Sequence, residues 1–518
     1  MKRAVLAVVA AVAVALIVAS CSSDEPTAKG PGRAQPVGQA PTPRHPHVVL
    51  LVMDELPGDS LLDGRGRIDR VRYPGFAALA GDSTWFRNAY SVFDSTTKAV
   101  PLILDGRRPR PRVPANRRGH PRSLYDVFGR RGYRMVASEE ASALCPPRMC
   151  EGGRKRRPAI VPKLLEGRPQ RFARWLRSIR ASRRPGFWVK HLLLPHGPWL
   201  HLPSGLRTRP RPRDLLPGMS TVPGFADEFL TRHNEQRYLL QLGFTDRLLG
   251  RLLRRLKSQG IYDDTLIVVT ADHGYLWRSG VETRRRALAD TAHEVAPVPL
   301  LVKRPGQRRG RVSDAYARTL DVPATIADVL GFELGYRQDG RSAFGPAARR
   351  TRRLVFPTRD FSDVVMIAGR PWEARRRTVV RRRLREFGSG PLGTLFTGIG
   401  PNRELIGRAA RSVTRVPAGS VRASVVQARM FGNVRRRSGV LPSEIAGHLR
   451  GGRPGERRDL AVAVNGRIEA VGRSFHLTGD STEHFAFMVP GDALREGRNA
   501  IVVYEVVAGG RLRALGRS

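Results

Sequence analysis

His47-Val-Val-Leu-Leu-Val-Met-Asp54-Glu55 is the stretch on which the fold turns. Val48 to Met53 are apolar without a break, so the strand they predict has no solvated face and is buried on both sides, as in a sheet covered by helices. Two acids follow at once. In open α/β sheets ligands sit beyond the carboxyl ends of the strands, and adjacent acids there are costly unless they bind something. Outward from this stretch, Phe187–Leu194, Thr265–Thr270 and Val298–Lys303 repeat the buried-strand pattern, and Tyr133–Ser138 repeats it more weakly. Glu235 to Leu256 carries leucines on one helical stripe and is followed by Gly260 as a stop signal. Asp321 to Gly331 predicts a second helix, capped by Asp321, with Pro323 in its first turn and Gly331 at its end. Strands alternating with helices give an α/β sheet with helices on both faces.

The flanks read differently. Met1-Lys2-Arg3, the apolar run Ala4–Ala19 and Val18-Ala19-Ser20-Cys21 make an export signal over residues 1–21. Its end resembles a bacterial lipoprotein lipobox, in which Cys21 is lipidated; a plain secretory signal with an incidental Cys is the other reading. The expectation is a protein exported and lipid-anchored to the outer face of the cell membrane without crossing it. Residues 22–45 read as a disordered tether. Beyond the α/β stretch of 46–345, residues 346–410 read as a peripheral extension, and 411–510 as a small C-terminal β-sandwich. There Asp459–Val464, the turn Asn465-Gly466 and the strand from Arg467 form a hairpin signature. Cys145 and Cys150 remain as a plausible structural disulfide in an oxidising compartment.

Lys and Arg number 91 against 45 Asp and Glu, a formal charge of +46. Such a surface attracts polyanions, although most of the excess is Arg spread along the whole chain, as a general compositional bias would spread it. The charge would suit nucleic acid, but no recognisable binding module is present and the export signal argues against that partner.

Four segments carry chemistry. Asp54-Glu55 follows the first strand, and Asp272-His273-Gly274 follows the strand ending at Ala271; a carboxylate and an imidazole at a strand mouth are natural metal ligands. Ser95-Thr96-Thr97-Lys98 leads to Pro101 and then Asp105-Gly106. His191-Leu-Leu-Leu-Pro-His196-Gly-Pro-Trp199 ends a further strand. Each is weak alone; their joint occurrence in this order is not.

Together they resemble the alkaline phosphatase/sulfatase superfamily, over roughly residues 47–345. Tyr262 to Gly274, Val298-Pro-Leu-Leu-Val-Lys-Arg-Pro305 and the Asp321 helix with Asp339-Gly340 are similar as well. The resemblance implies a three-layer α/β/α sandwich with a mixed, mostly parallel central sheet. It implies one divalent metal ion (Zn, Mn, Ca or Mg) held by Asp54, Thr96, Asp272 and His273, with Glu55 in the place of a second acidic ligand. Thr96 is the implied nucleophile, since the spacings to Gly106 and to Pro101 both reach it. A metal favours the alkoxide of an otherwise poor Thr nucleophile. His191 and His196 would stabilise the transferred group or protonate the leaving oxygen. Lys98 and His293 are candidates for substrate contact. Thr96 and Val100 depart from the Cys/Ser-x-Pro-x-Arg setting of formylglycine sulfatases, because the Thr methyl blocks the aldehyde. Asp246 lies on the helical pattern and reads as an anchor more than a ligand.

The expected function is a metal-dependent hydrolase or transferase that cleaves or transfers a phosphate or sulfate ester in the cell envelope. Its substrate would be an anionic ester, with an envelope glycopolymer or lipid head group as candidates. True sulfuric ester hydrolysis and a catalytically silent, anionic-glycopolymer-binding lipoprotein are the alternatives.

Overall fold

Val48–Asp54 forms β1, buried along its whole length, between two parallel neighbours. In the computed structural model the described residues are 45–517, apart from 149, 152–159, 210–226, 282–283, 286, 398 and 478. The export signal with Cys21, the tether up to residue 44, the Arg154–Arg157 run and most of the 198–223 loop therefore lie outside the described residues. The others belong to one compact unit.

Eight described strands make the central sheet: β1, β2 (Thr84–Phe86), β3 (Arg134–Ser138), β4 (Cys150–Glu151), β5 (Gly186–Pro195), β6 (Leu266–Ala271), β7 (Leu300–Lys303) and β8 (Arg311–Ser313). Their order is β4-β3-β5-β1-β6-β7-β2-β8. β7 runs antiparallel to both β6 and β2, and the other pairings are parallel, so the sheet is mixed and mostly parallel. Successive side chains point to opposite faces, and the apolar run of β1 serves both. Val49, Leu51 and Met53 meet the cluster that contains α1 (Pro74–Gly81), α5 (Arg168–Ser178) and α6 (Glu228–Ser258). Val48, Leu50 and Val52 meet the cluster of α2 (Thr96–Asp105), α3 (Leu124–Arg130) and α8 (Val322–Leu330). This gives the three layers. The shorter helices α4 (Ile160–Leu165) and α7 (Ala292–Val295) complete the set up to α8.

Helix α6 starts seven residues before the apolar stripe does. Asp227 caps it by accepting the Leu230 N–H at 2.9 Å. Its opening turns bury His233, Asn234, Glu235, Gln236 and Arg237, polar residues that hide the helix from a hydrophobic pattern. Glu444 accounts for part of this: its carboxylate lies 3.3 Å from Arg237 and 3.0 Å from Arg209, with His233 at 3.6 Å. Asp321 precedes α8, yet its carboxylate accepts from Arg318 and Arg341 instead of capping that helix. Asp246 anchors structure: it accepts the N–H groups of Gly75 and Phe76 at 3.0 and 2.7 Å, at the start of α1.

Residues 346–410 are packed in, not peripheral. After α9 (Pro346–Arg350), the hairpin β9 (Arg353–Pro357) and β10 (Asp363–Ile367) buries Leu354 and Phe356. Helix α10 (Arg370–Phe387) buries Trp372 and drives two of its arginines inward. Arg376 pairs with Asp59 and Arg383 donates to the carbonyls of Ser60 and Leu62. An Arg-rich run looks solvated when its acceptors are backbone carbonyls distant in sequence. From residue 415 two five-stranded sheets form a sandwich, with Leu460 and Val462 of one sheet sharing a core with Ile445 and Phe487 of the other. The hairpin turns at Asn465 and Gly466, both at positive φ (52° and 86°), as a two-residue turn requires.

Candidate active site and metal centre

Because β5, β1 and β6 are neighbours and parallel, their carboxyl ends open side by side. Asp54 closes β1, Pro195 closes β5 with His196 next after it, and Asp272-His273 follow β6. Gly274 lets this turn lie against α7: a Cβ there would stand 2.6 Å from the Val295 carbonyl oxygen, which accepts the Gly274 N–H at 2.8 Å. Thr96 arrives from the other side as the first residue of α2.

Two overlapping groups could hold a cation. Asp54, Glu55 and His196 have ligand atoms within 4.8 Å of one another, as do Asp54, His191 and Asp272. Both carboxylate oxygens of Asp54, one of Asp272 and one of Glu55 have no hydrogen-bond partner in the structure, although all three residues are fully buried. Orphaned buried carboxylates are expensive unless something charged satisfies them. Burial pushes Asp54 up to about 6, and burial with the neighbouring Asp54 pushes Asp272 well above the usual carboxylate range. Oxygen donors with neutral imidazoles are what a divalent cation takes, so the residues fit a metal. The geometry gathers two overlapping sets around Asp54, where the sequence suggested one.

The histidines are sorted by their hydrogen bonds. His273 Nδ1 lies 2.9 Å from the Gly274 carbonyl. A carbonyl can only accept, so Nδ1 carries the hydrogen and Nε2 presents a lone pair. That lone pair faces Thr96 Oγ1 at 3.3 Å. Burial first, then Arg285, lowers His273 to about 3 and keeps it neutral. His196 is oriented likewise, with Nδ1 2.6 Å from the Gly197 carbonyl and Nε2 3.4 Å from Glu55. Its turn is held by Arg168, which donates to the carbonyls of Leu193, His196 and Pro198, and by Gln241, which donates to those of Pro195 and His196. His191 differs: it is buried, neither ring nitrogen has a hydrogen-bond partner, and Nε2 is 3.5 Å from Asp54. Burial lowers it to about 4. It stands among the candidate ligands and not at the mouth, where a leaving group would need it.

Two residues in the substrate-contact set go elsewhere. Lys98 donates to the carbonyls of Arg110 and Val113 at 2.8 and 2.9 Å, turned away from the acids because it sits two residues past Thr96, about 200° round α2. His293 lies on α7 and joins neither ligand group. Cys145 and Cys150 are joined, with Cα atoms 6.0 Å apart.

The cations at the mouth come from residues the sequence did not mark. Arg284 and Arg285 reach Glu55 Oε1 at 3.3 and 3.4 Å, and Arg284 stands 3.5 Å from His196. Burial would raise Glu55, but Arg284, His196 and Arg285 together hold it below the usual carboxylate range. Ser91, also unmarked, donates to the Asp272 carbonyl and ties the Tyr90–Phe93 segment to the site. An arginine run in an arginine-heavy chain carries no signal of its own.

A sulfatase family model matches residues 170–332, which include His191, His196, Asp272 and His273. The chain is 34% identical over 118 residues to the multifunctional alkaline phosphatase superfamily protein PehA of Trinickia caryophylli, covering 22% of each. It is 24% identical to the N-acetylglucosamine-6-sulfatase of Capra hircus over 34% of each chain. These matches span about a fifth to a third of the relatives' length. The phosphonate monoester hydrolase of Agrobacterium radiobacter aligns at a TM-score of 0.42 with 18% identity, over 60% of this chain and 80% of that one.

Proposed function

From the sulfatase-family domain matched over residues 170–332, we propose that this chain is a metal-dependent hydrolase or transferase that breaks a phosphate or sulfate ester through Thr96. One observation carries the proposal: Thr96 Oγ1 lies 3.3 Å from the lone pair of His273 Nε2, beside buried carboxylates that lack partners. A divalent cation held by Asp54 and Asp272, with Glu55 and His191 at hand, would supply Lewis acidity and favour the Thr96 alkoxide; His273, which the sequence placed among the ligands, joins neither group and faces Thr96.

The chain's own residues do the remaining work. The first turn of α2 places Thr96 with its helix N-terminus toward the incoming anion, which favours negative charge there. Thr96 Oγ1 bonds to phosphorus or sulfur as the bond to the ester oxygen breaks, in line. The Thr96 proton passes to the Nε2 lone pair of His273, which lies 3.3 Å from Thr96 Oγ1. His196 Nε2, at the mouth beside Arg284, would hand a proton to the departing oxygen from the imidazolium form, with Nδ1 still donating to the Gly197 carbonyl. Arg284 and Arg285 hold the nonbridging oxygens as charge spreads over them. Water or an acceptor alcohol then releases the group from Thr96. A threonine cannot follow the formylglycine route, which supports direct covalent transfer. The unpartnered acids count against a silent binding protein. Lipidation at Cys21 and an outer-face location belong to the same proposal and rest on the sequence of residues 1–21.

The test compares p-nitrophenyl phosphate, a bis-p-nitrophenyl phosphodiester and p-nitrophenyl sulfate on one metal-loaded preparation, with Thr96→Ala alongside. Loss of turnover by at least about a thousandfold in Thr96→Ala is expected. Full activity in that variant removes Thr96 as the nucleophile, and the ratio between the esters assigns the class.

A further inference from the structure

At the far end of α2 the chain closes a second basic cavity. It has a volume of about 600 Å³ and is lined by Arg108, Arg318, Arg337, Arg341 and Arg353, with Asp321 and Asp339 as its acids. Both acids are engaged. Asp321 is paired with Arg318 at 2.7 Å and also accepts the N–H groups of Arg318 and Arg341. Asp339 accepts the N–H of Arg108 at 2.8 Å. Among the described residues, the guanidinium groups of Arg108, Arg337, Arg341 and Arg353 make no ion pair or side-chain hydrogen bond. Five arginines against two carboxylates leave a net charge of +3 around one concavity, a field suited to a multiply charged anion.

The cavity is linked to the catalytic mouth. Tyr90 and Val92 line it, and Ser91 between them bonds to the Asp272 carbonyl. Beyond its Pro357 rim, Arg359 pairs with Asp94 at 3.4 Å. Asp94 lies within reach of the charge of Arg285, which borders Glu55. Arginines thus run from the mouth to the cavity. α2 has Thr96 at its start and Gly106 as its cap, so the two sites stand about one ten-residue helix, roughly 15 Å, apart.

We propose that this cavity is an exosite for a second sulfate or phosphate group on an anionic saccharide chain whose scissile ester lies at Thr96. The proposal rests on the esterase reading for that last clause alone. A saccharide suits the walls better than a nucleic acid. Tyr90 and Tyr316, the aromatic residues of the lining, are 2% and 8% exposed and offer no stacking platform for bases. Gln338, also in the lining, has an amide oxygen with no hydrogen-bond partner and can accept from a sugar hydroxyl.

The experiment measures binding in full-length Thr96→Ala protein, so that it does not depend on turnover. A fluorescein-labelled heparin hexasaccharide is titrated at 0.15 M salt against the parent, against Arg337→Ala/Arg341→Ala/Arg353→Ala, and against a control with Arg429→Ala/Arg435→Ala/Arg437→Ala in the C-terminal sandwich. The cavity variant is expected to weaken Kd at least tenfold and the control less than twofold. With Thr96 restored, p-nitrophenyl ester turnover should stay within twofold in the cavity variant. Equal losses in both triple variants would show bulk charge alone and overturn the proposal, as would an unchanged Kd in the cavity variant. A single-stranded DNA dodecamer bound as tightly as the hexasaccharide, and lost in the same variant, would overturn the saccharide assignment.

Discussion

Replacing Glu140 by Gln should destabilise the protein in a pH-dependent way whose sign is fixed by the structure. Glu140 is buried and meets Lys190 at 2.5 Å, Arg171 at 2.9 Å and Lys163 at 3.5 Å. Burial alone would raise its carboxyl, but Lys190, Arg171 and Lys163 overcome this and hold it near about 2, against 4.5 for the free group. At about 1.4 kcal/mol per tenfold change in proton affinity, that span is about 3 kcal/mol favouring the ionised form. Lys190 opposes part of it, since burial pushes its ammonium down to about 8. The intact pair is therefore worth less than its Coulomb attraction, whereas removing the carboxylate alone strands a buried ammonium, a change that costs about 3–5 kcal/mol in buried pairs. We expect Glu140→Gln to lose about 3 kcal/mol at pH 7 and Glu140→Gln/Lys190→Met to recover most of it. A depressed carboxyl stabilises fully above its unfolded value and ceases to as pH falls through the folded value. The part of the gap between wild type and Glu140→Gln that comes from the carboxyl should thus close as pH falls from about 4.5 toward 2. Urea unfolding followed by tryptophan fluorescence at pH 7, 5, 4 and 3 reads this. A gap below about 1 kcal/mol at pH 7, or one that widens below pH 4, refutes the reasoning. The site would feel the change, since Lys190 precedes His191 on β5.

Other consequences follow from named contacts. Arg284→Gln or Arg285→Gln removes a charge-assisted contact of about 1.5–3 kcal/mol, so kcat/KM for an ester should fall roughly 10- to 100-fold while metal content stays at the wild-type level. Asp246→Asn leaves an N–H of Gly75 or Phe76 without its acceptor, and thermal unfolding should show a loss of about 1–3 kcal/mol with metal content again unchanged. Glu444→Ala removes the buried carboxylate that meets Arg209 and Arg237 where α6 faces the sandwich; a loss of about 3–5 kcal/mol is expected, with the sandwich unfolding ahead of the central sheet in proteolysis time courses.

Much of this architecture is legible in the sequence because β1, β5 and β6 are buried on both faces, β1 and β6 being almost wholly apolar and β5 apolar on either side of Lys190-His191. The acids at their ends stand out against that background, which is why Asp54, Glu55, Asp272 and His273 could be named. What escaped the pattern depends on contacts between distant residues. The polar opening of α6 is buried in part because Glu444, more than two hundred residues later, meets it. Arg376 and Arg383 look solvated until Asp59 and the carbonyls of Ser60 and Leu62 are seen to receive them. Arg284 and Arg285 belong to a loop with no periodicity, and Lys98 was misplaced because the turn it occupies on α2 points it at Arg110 and Val113. The split roles of His191 and His196 rest on which ring atoms have partners, which spacing does not encode.

The most direct test is elemental analysis of full-length protein, purified without chelator and dialysed against equimolar Zn, Mn, Ca and Mg, beside Asp54→Asn and Asp272→Asn. At least one divalent ion per folded wild-type chain, lost or reduced at least tenfold in both variants without loss of fold, is the predicted result. Wild-type protein that retains no divalent ion, or variants that retain it in full, would contradict a metal centre at the mouths of β1 and β6.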